Sequence, residues 1–482
     1  MSKEHAEREA VVEATPLCVD LDGTLVKSDT LVDSLMLLVR TDPWDAIKAP
    51  FWIFDGKAAL KAKVSAAVSL DVAHLPYNKP LLDYLREQHS QGREIYLTTG
   101  ADHRLATRIA DYLGIFTGVI ASDGSTNLIG SDKLASLRQR FASGFDYVGN
   151  ATPDLPLLAG AGKPMLANPN LSLNALLKTR KIAISRTFED RRPLLKAVFK
   201  ALRPHQWAKN VLIFVPLLLA HSLRPELVAQ VALAFLCFCL CASASYIMND
   251  ILDIETDRQH PKKRLRPFAA GDLSAATGLG IALIFFVAAF FGTHFLPEPF
   301  LGWLLFYTLA TLIYSLYLKR VMLVDVILLS GLYTLRLLAG GAAAQVRISP
   351  WLAGFSVFLF LSLAMVKRFS ELQNNLVQGH APSSGRGYIL ADIEQIRSFG
   401  ISSAYAAVVV FSLYISSRDV EALYSHAARM WLIVPLMILW ISRVWLLAGR
   451  GHLDEDPVIF AVTNPMSLLI GLCVAVIAFS AI

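Results

Sequence analysis

Apolar and polar positions follow two regimes along this chain. Up to about residue 200, short apolar runs alternate with charged, helix-like stretches. From Lys209 onward, apolar runs of about twenty residues follow one another. In the first regime Pro16-Leu17-Cys18-Val19 runs into Asp20-Leu21-Asp22-Gly23-Thr24, which predicts a buried strand ending in a loop. Ile95-Tyr96-Leu97, ending at Thr98-Thr99-Gly100, predicts a second strand. Phe145-Asp146-Tyr147-Val148, ending at Gly149-Asn150, predicts a third. Strands alternating with helices predict a parallel, doubly wound α/β sheet with its site at the strand C-termini.

In the second regime, stretches of about 18 or more apolar residues are long enough to cross a bilayer as helices. Nine are predicted, near 208–222, 227–248, 275–295, 299–318, 322–344, 351–366, 399–417, 429–448 and 463–481. The expectation is an all-α bundle of nine transmembrane helices. The loops after the even spans are basic: Arg258 to Arg266 after span two, Lys319-Arg320 after span four, Lys367-Arg368 with Arg386 and Arg397 after span six, Arg450 after span eight. The opposite loops, such as Gly292-Thr293-His294-Phe295-Leu296-Pro297, carry almost no Lys or Arg. The positive-inside rule puts the basic loops and the N-terminal domain in the cytoplasm, and an odd span count leaves the C-terminus outside.

Composition supports this division. Of 482 residues 54% are hydrophobic and only 17% charged, against about 25% charged in soluble domains. Disordered, collagen-like and disulfide-scaffold classes are excluded. Cys18, Cys237, Cys239, Cys241 and Cys473 form no CxxC or Cys/His spacing, so packing in a reducing compartment explains them better than zinc. The net charge of +6 follows from topology and calls for no nucleic acid. The polar opening, MSKEHAEREA, reads as part of a flexible N-terminus (1–14) without a signal peptide. Residues 15–175 read as the α/β domain, 176–205 as a basic linker suited to anionic head groups, and 206–482 as the membrane domain.

Candidate chemistry sits at the end of span two. Asn249, Asp250, Asp253 and Asp257 have a spacing that places the three carboxylates along one helix face. Like charges stacked beside a bilayer repel one another, and a divalent cation relieves the repulsion. Mg²⁺, a hard ion, commonly joins one or two such carboxylates to substrate phosphates. The loop then supplies Arg258, His260, Lys263 and Arg266, cations suited to a diphosphate. Lys209 stands at the mouth of span one, and around the junction of spans four and five Tyr314, Lys319 and Asp325 face the same cytoplasmic end. Arg336 lies within span five, where an arginine is costly and points to function.

The run N-D-x-x-D-x-x-x-D-R-x-H-P-x-K-x-x-R-P after the second span resembles the UbiA superfamily of intramembrane prenyltransferases, over about 200–482. That resemblance implies a helical bundle around a central cavity whose mouth binds Mg²⁺ and diphosphate, in a bacterial inner (cytoplasmic) membrane. Ordinary members carry a second Asp-rich motif after span six. Here that place reads Lys367-Arg368-Phe369-Ser370-Glu371, which suits a further phosphate better than a second Mg²⁺. Together with Arg203-Pro204-His205-Gln206-Trp207-Ala208-Lys209-Asn210, this combination resembles the polyprenyl-phosphate phosphoribosyltransferases. It implies phosphoribosyl diphosphate as donor and a polyprenyl phosphate lipid as acceptor. The alternative is transfer of a prenyl group from prenyl diphosphate to an aromatic or other small acceptor.

The N-terminal D-x-D-G-T resembles the haloacid dehalogenase superfamily of phosphotransferases, over about 15–175. This implies Asp20 as nucleophile and Asp22 as general acid/base. Thr98 would hold phosphate, Lys133 would neutralise it, and a helical cap would lie at about 31–89. Its Mg²⁺ would be held by Asp20, Asp22, Asn150 and Asp154. Asn150 replaces the family's carboxylate, so either a working phosphatase or a fold kept for interaction is open. Gly160-Ala161-Gly162-Lys163 lacks the remaining residues of a nucleotide loop.

Overall fold

The computed structural model describes residues 15–221, 223–377, 387–453 and 457–482. The stretch 1–14 and Arg386, read above as flexible N-terminus and basic loop, lie outside the described residues. The chain divides into two units, one running to Ala201 together with Asp250–Leu279, the other comprising Leu202–Asn249 and Gly280–Ile482.

The first unit is built on six strands: β1 Leu17–Val19, β2 Ile95–Asp102, β3 Gly118–Ser122, β4 Asp146–Gly149, β5 Pro164–Ala167 and β6 Arg186–Phe188. All neighbours are parallel and the order is β3-β2-β1-β4-β5-β6, with Leu17 registered against both Ile95 and Asp146. Alternation along β1 gives each face its own core. Leu17 and Val19 pack with Leu97 and Val148, while Cys18 packs with Tyr96 and Tyr147. Nine helices accompany the sheet: α1 Thr30–Thr41, α2 Pro43–Lys48, α3 Lys57–Ala67, α4 Lys79–Ser90, α5 His103–Leu113, α6 Ser131–Arg140, α7 Leu155–Gly160, α8 Leu171–Thr179 and α9 Leu194–Leu202. Leu81 and Leu85 of α4 and Ile109 of α5 cover the first face. Leu137 of α6, Leu158 of α7 and Leu173 of α8 cover the second. Each such buried leucine contributes about 1.5–3 kcal/mol. Strand order reverses between β1 and β4, so a crevice opens beyond their C-terminal ends, where doubly wound sheets place their sites.

Two boundaries differ from expectation. The cap does not reach residue 89, because Leu81, Leu82 and Leu85 place α4 in the sheet's own core. The insertion between β1 and α4 comprises α1 to α3 with the 3₁₀ helix Ala49–Asp55. Nor is 176–205 a linker: it supplies β6, whose Phe188 is buried, and α9. A basic composition concealed a short edge strand, since Arg186 and Thr187 are exposed while only Phe188 packs inward.

The helical unit continues with α10 Val215–Leu219, α11 Pro225–Leu252, α12 Ile254–Gln259, α13 Ala275–Gly292, α14 Glu298–Leu316, α15 Val324–Ala344, α16 Pro350–Val377, α17 Ile393–Ile415, α18 Arg418–Leu423, α19 Ile433–Gly449, α20 Pro457–Thr463 and α21 Pro465–Ala481. Of these, α12 and the junctions around it belong to the first unit. Among the described residues seven helices are long and apolar enough to cross a membrane. The pair α20–α21, bent by 76°, makes eight if counted as one span. The expected nine are not reached, because the first is not a continuous helix. Pro204–Phe214 winds as a 3₁₀ helix after Arg203 adopts a left-handed conformation, and Pro216 removes a further amide donor in the short α10. Trp207 fixes this segment by donating Nε1–H to Ser243 Oγ (2.9 Å) on α11. At the other end Pro465 breaks the chain, and Asn464 Oδ1 caps α21 by accepting from Met466 and Ser467.

Candidate functional site

Three groups of predicted residues stand in distinct surroundings. The first lies in the crevice between β1 and β4. Asp20 follows β1, and its oxygens accept from Lys133 Nζ (2.7 Å) and Thr24 Oγ1 (3.2 Å). Lys133, buried on α6, also donates to the Thr98 carbonyl (3.3 Å) and Tyr147 Oη (3.2 Å). Thr98 turns its hydroxyl back to the Val19 carbonyl (3.3 Å), joining β2 to β1. Asp22 Oδ1 accepts from the amide (2.8 Å) and hydroxyl (2.7 Å) of Thr30, at the start of α1.

Asp154 accepts from Tyr147 Oη (2.8 Å) on one oxygen and from the Asn150 and Ala151 amides (both 3.0 Å) on the other. Both of its oxygens are engaged in shaping the β4 loop. The Asn150 amide packs against Gly23, whose φ of +77° suits glycine and where a Cβ would collide with that amide. Burial pushes Asp20 up to about 6 against the pull of Lys133. Burial and then the nearby Asp29 push Asp22 up to about 7. Burial lowers the Lys133 ammonium, but Asp20 and Asp154 outweigh it and its pKa is raised. The crevice therefore holds a cation-paired carboxylate beside a second carboxylate poised to exchange a proton near neutral pH.

The second group is the acidic segment after α11. The three carboxylates do not line one continuous helix, because α11 ends at Leu252 and Asp253 opens α12 as its N-cap residue. The break nonetheless returns Asp257 toward Asp250: one nitrogen of Arg266 lies 3.1 Å from Asp250 Oδ1 and 2.7 Å from Asp257 Oδ2. Asp250 and Asp257 are both buried. Burial pushes Asp257 up to about 6, with Arg266 opposing. Asp253 is 3.8 Å from Arg40 of α1. His260 Nδ1 accepts from the Lys262 (3.2 Å) and Lys263 (3.4 Å) amides, and burial, then Lys263 and Arg266, lower its pKa, keeping it neutral.

Arg258, expected to meet substrate, is buried and bonded elsewhere. Its Nη2 donates to Asp33 Oδ2 (2.8 Å) and Ser28 Oγ (2.9 Å), and its Nε to the Ala269 carbonyl (3.2 Å). Among the described residues no group of three or more His, Cys, Asp or Glu side chains is gathered around a point where a metal could sit. Two buried carboxylates converging on one cationic nitrogen are nonetheless a hard-oxygen donor set of the kind Mg²⁺ takes, so the residues fit that ion.

The third group belongs to the helical unit. Arg336 of α15 is buried and donates to Asn210 Oδ1 (2.8 Å), the Leu332 carbonyl (2.5 Å) and Tyr307 Oη (3.1 Å). Its guanidinium stacks on Tyr307 and Tyr333, at 4.9 and 5.3 Å from the ring centroids. Among the described residues no carboxylate pairs with it. Lys209, also buried, lies 5.7 Å from the centroid of the same Tyr333 ring. Arg368 of α16 is different: its Nε donates to Asp325 Oδ2 (2.7 Å) and its Nη1 pairs with Glu371. Asp325 accepts in addition from Tyr388 Oη (2.5 Å). Lys319 donates to Asn249 Oδ1 (3.1 Å), and Tyr314 and Lys367 are half-buried on α14 and α16.

Sequence reading missed Asp33, Tyr147, Asn210, Tyr307, Tyr333 and Tyr388. Asn210 adjoins Lys209 in a segment already singled out and was within reach. The tyrosines read as packing residues, and Asp33 offers no local signal, standing 225 residues from its partner Arg258.

Comparison with known proteins completes the assignment. The UbiA prenyltransferase family profile matches residues 211–464, more than half of the chain. The uncharacterised protein y4nM of Sinorhizobium fredii is 37% identical over 95% of this chain and 90% of its own length. Decaprenyl-phosphate phosphoribosyltransferase of Mycobacterium tuberculosis is 32% identical over 47% of this chain and 76% of its own. Among solved structures, a UbiA homologue from Archaeoglobus fulgidus bound to GPP and Mg²⁺ is 15% identical, with a TM-score of 0.46 over 59% of this chain and 99% of that one. A phosphoserine phosphatase, captured as a phospho-aspartyl intermediate analogue, is 15% identical, with a TM-score of 0.24 over 39% of this chain and 98% of that one. With its apolar helices and the motif of α11, and by the extent of the profile match, this chain belongs to the UbiA prenyltransferase family of membrane transferases.

Proposed function

We propose that this chain transfers phosphoribose from phosphoribosyl diphosphate to a polyprenyl phosphate, and that its α/β domain then removes the 5-phosphate from the lipid-linked product. Arg336 carries the first half. A guanidinium buried in a membrane-spanning helix, held by neutral oxygens and aromatic faces without a carboxylate, calls for an anionic partner. A phosphorylated acceptor or donor supplies one, and Lys367, in place of a second acidic motif, agrees with a further phosphate, whereas Arg368 is taken up by Asp325 and Glu371. The likeness in sequence to decaprenyl-phosphate phosphoribosyltransferase supports the same reading.

Asp250, Asp253 and Asp257 would hold Mg²⁺, which when bound neutralises the leaving diphosphate. The chain's own residues position the rest. Arg266, Lys263 and neutral His260 offer donors to diphosphate oxygens; within the helical unit, Lys319, Asn249 and Tyr314 are polar groups suited to a phosphorylated substrate. Arg336 and Lys209 would orient the remaining phosphate, while Asp325 and Glu371 fix Arg368. A lipid phosphate oxygen is a competent nucleophile, so orientation and charge stabilisation at the ribose C1 are the main demands. In the α/β domain, an Asp20 oxygen attacks phosphorus as the P–O bond to the sugar breaks. Asp22 gives its proton to the departing alkoxide, then takes one from the water that hydrolyses the aspartyl phosphate. Lys133 holds Asp20 in line; Asp20, Asp22 and Asn150 would hold Mg²⁺, with Asp154 shaping their loop.

The test is mass spectrometry of lipids formed by the full-length protein in vesicles of the bilayer it spans, offered polyprenyl phosphate with phosphoribosyl diphosphate. Prenyl diphosphates with small aromatic acceptors are offered in parallel. A phosphoribosylated lipid is expected from the first mixture, and a prenylated product from the second alone would overturn the assignment. Phosphate release, followed separately, should stop in Asp20→Asn. Wild-type protein that makes the phosphoribosyl lipid and releases no phosphate would mark Asn150 as the sign of a domain without chemistry.

A further inference from the structure

One helix of the first unit touches both groups of carboxylates in that unit. At its start, α1 gives the Thr30 amide and hydroxyl to Asp22 (2.8 and 2.7 Å). One turn on, Asp33 accepts from Arg258 (2.8 Å) and from Ser28 Oγ (2.6 Å), and Ser28 accepts from the same Arg258 nitrogen (2.9 Å). Both members of the Asp33–Arg258 pair are buried, with side-chain exposures of 4% and 2%. Two turns further, Arg40 lies 3.8 Å from Asp253 and bonds Thr256. Positions 33 and 40 are seven residues apart and so share a helix face. A second strut comes from the end of the insertion, where the Asp71 amide donates to Glu255 Oε1 (2.6 Å) and Gln259 Nε2 donates to Asp71 (3.2 Å). Arg258 is the residue directly after Asp257, so the side chain that anchors the acidic segment adjoins the carboxylate that Arg266 joins to Asp250.

We propose that α1 is a splint for the transferase: Asp33, through Arg258, is a positioning residue that sets the acidic segment 250–266 in the conformation that receives a Mg²⁺-diphosphate. The proposal rests on the transferase reading and adds a reason for the two domains to share a chain besides successive chemistry. A buried carboxylate facing a buried guanidinium fixes orientation as well as charge, because the fork admits few geometries. Without it Arg258 keeps its hydrogen bonds to neutral partners, Ser28 Oγ and the Ala269 carbonyl, and loses the carboxylate that fixes its orientation. The N-terminal domain then serves transfer whether or not it hydrolyses phosphate.

The experiment measures Mg²⁺-dependent binding of inorganic diphosphate, the product common to phosphoribosyl and prenyl transfer, to full-length protein in detergent by calorimetry. Transfer kinetics are followed beside it. Asp33→Asn should weaken diphosphate binding at least tenfold and raise the KM for the donor by a similar factor, with kcat at saturation changed less than threefold. Asp33→Glu, which keeps the charge, should recover most of the loss. Asp83→Asn, an exposed acid on α4, should bind as wild type does. Arg40→Gln, less buried than Asp33, should show the same direction at smaller size and keeps the test open should Asp33→Asn not fold. Wild-type affinity and KM in both Asp33→Asn and Arg40→Gln would overturn the proposal. Protein that binds diphosphate with this dependence on Asp33 but transfers nothing from phosphoribosyl diphosphate leaves the splint standing and removes the donor assignment.

Discussion

Single residues here differ chiefly in what neutralises them. Arg368 and Arg336 are both buried arginines on membrane-spanning helices, yet Arg368 faces Asp325 and Glu371 while Arg336 faces amide, carbonyl and aromatic rings. Breaking a buried pair from one side leaves an uncompensated charge and costs about 3–5 kcal/mol, whereas removing both members is close to neutral. Asp325→Asn should therefore lower the thermal stability of the detergent-solubilised protein sharply, and Asp325→Asn combined with Arg368→Gln should recover most of it. A single variant as stable as wild type would deny the pair its structural role. Asp22 makes a prediction about pH. Its folded pKa near 7 stands above the ordinary carboxylate value, so between about pH 4 and pH 7 the folded state holds more protons than the unfolded one. Stability contributed by the neutral form is lost as pH rises through that window. Asp22→Asn should melt several degrees higher than wild type at about pH 8, with the difference closing toward pH 4. Equal melting temperatures at about pH 8 would contradict the burial of that charge.

Elements set where those residues meet. The 3₁₀ segment Pro204–Phe214 carries Lys209 and Asn210 to Arg336, and it lies against α15 at Gly340, where any Cβ would fall on the Ile213 carbonyl. Backbone cannot yield as a side-chain end does, so overpacking there costs about 1–3 kcal/mol and moves the segment. Gly340→Ala should reduce transfer more than tenfold. Gly302→Ala on α14, where a Cβ meets nothing within 4 Å, should leave both stability and turnover near wild type. Wild-type turnover in Gly340→Ala would mean the segment does not depend on that contact. The break between α11 and α12 has a similar consequence, since it brings Asp257 and Asp250 to one guanidinium.

The whole molecule joins an α/β unit to a set of membrane-spanning helices, and the charge of its loops predicts how it is inserted. Only Cys473 among the cysteines is exposed, so a Cys473→Ser background suits labelling. Lys262→Cys should react with a membrane-impermeant maleimide only after cells are opened, and His294→Cys in intact cells, both positions being exposed. The reverse pattern would invert the topology and place the α/β unit outside. On the proposed function, insertion in the expected sense would put the soluble donor and the α/β domain on one side of the bilayer, where tethering would raise the effective concentration of product to mM for a short connection.

Much of this was legible in the sequence because it is local. Apolar run length marks most spans, short apolar runs ending at Asp20 and Asn150 mark β1 and β4, and D-x-D-G-T and N-D-x-x-D mark candidate chemistry by residue type and short spacing. The sequence also singled out Arg336, because an arginine within an apolar span is itself a signal. Tertiary structure decided what those groups face. Spacing of three and four suggested one acidic helix face, but a helix break and Arg266 make the actual arrangement. Arg258 read as a substrate cation because its partner Asp33 lies 225 residues away. The first span read as a helix because hydropathy does not register how prolines and a left-handed Arg203 wind it. Periodicity reports which face of an element is buried. Only closure of the chain determines whether a buried charge meets a carboxylate, which fixes it in the fold, or neutral groups, which leave its charge for a ligand.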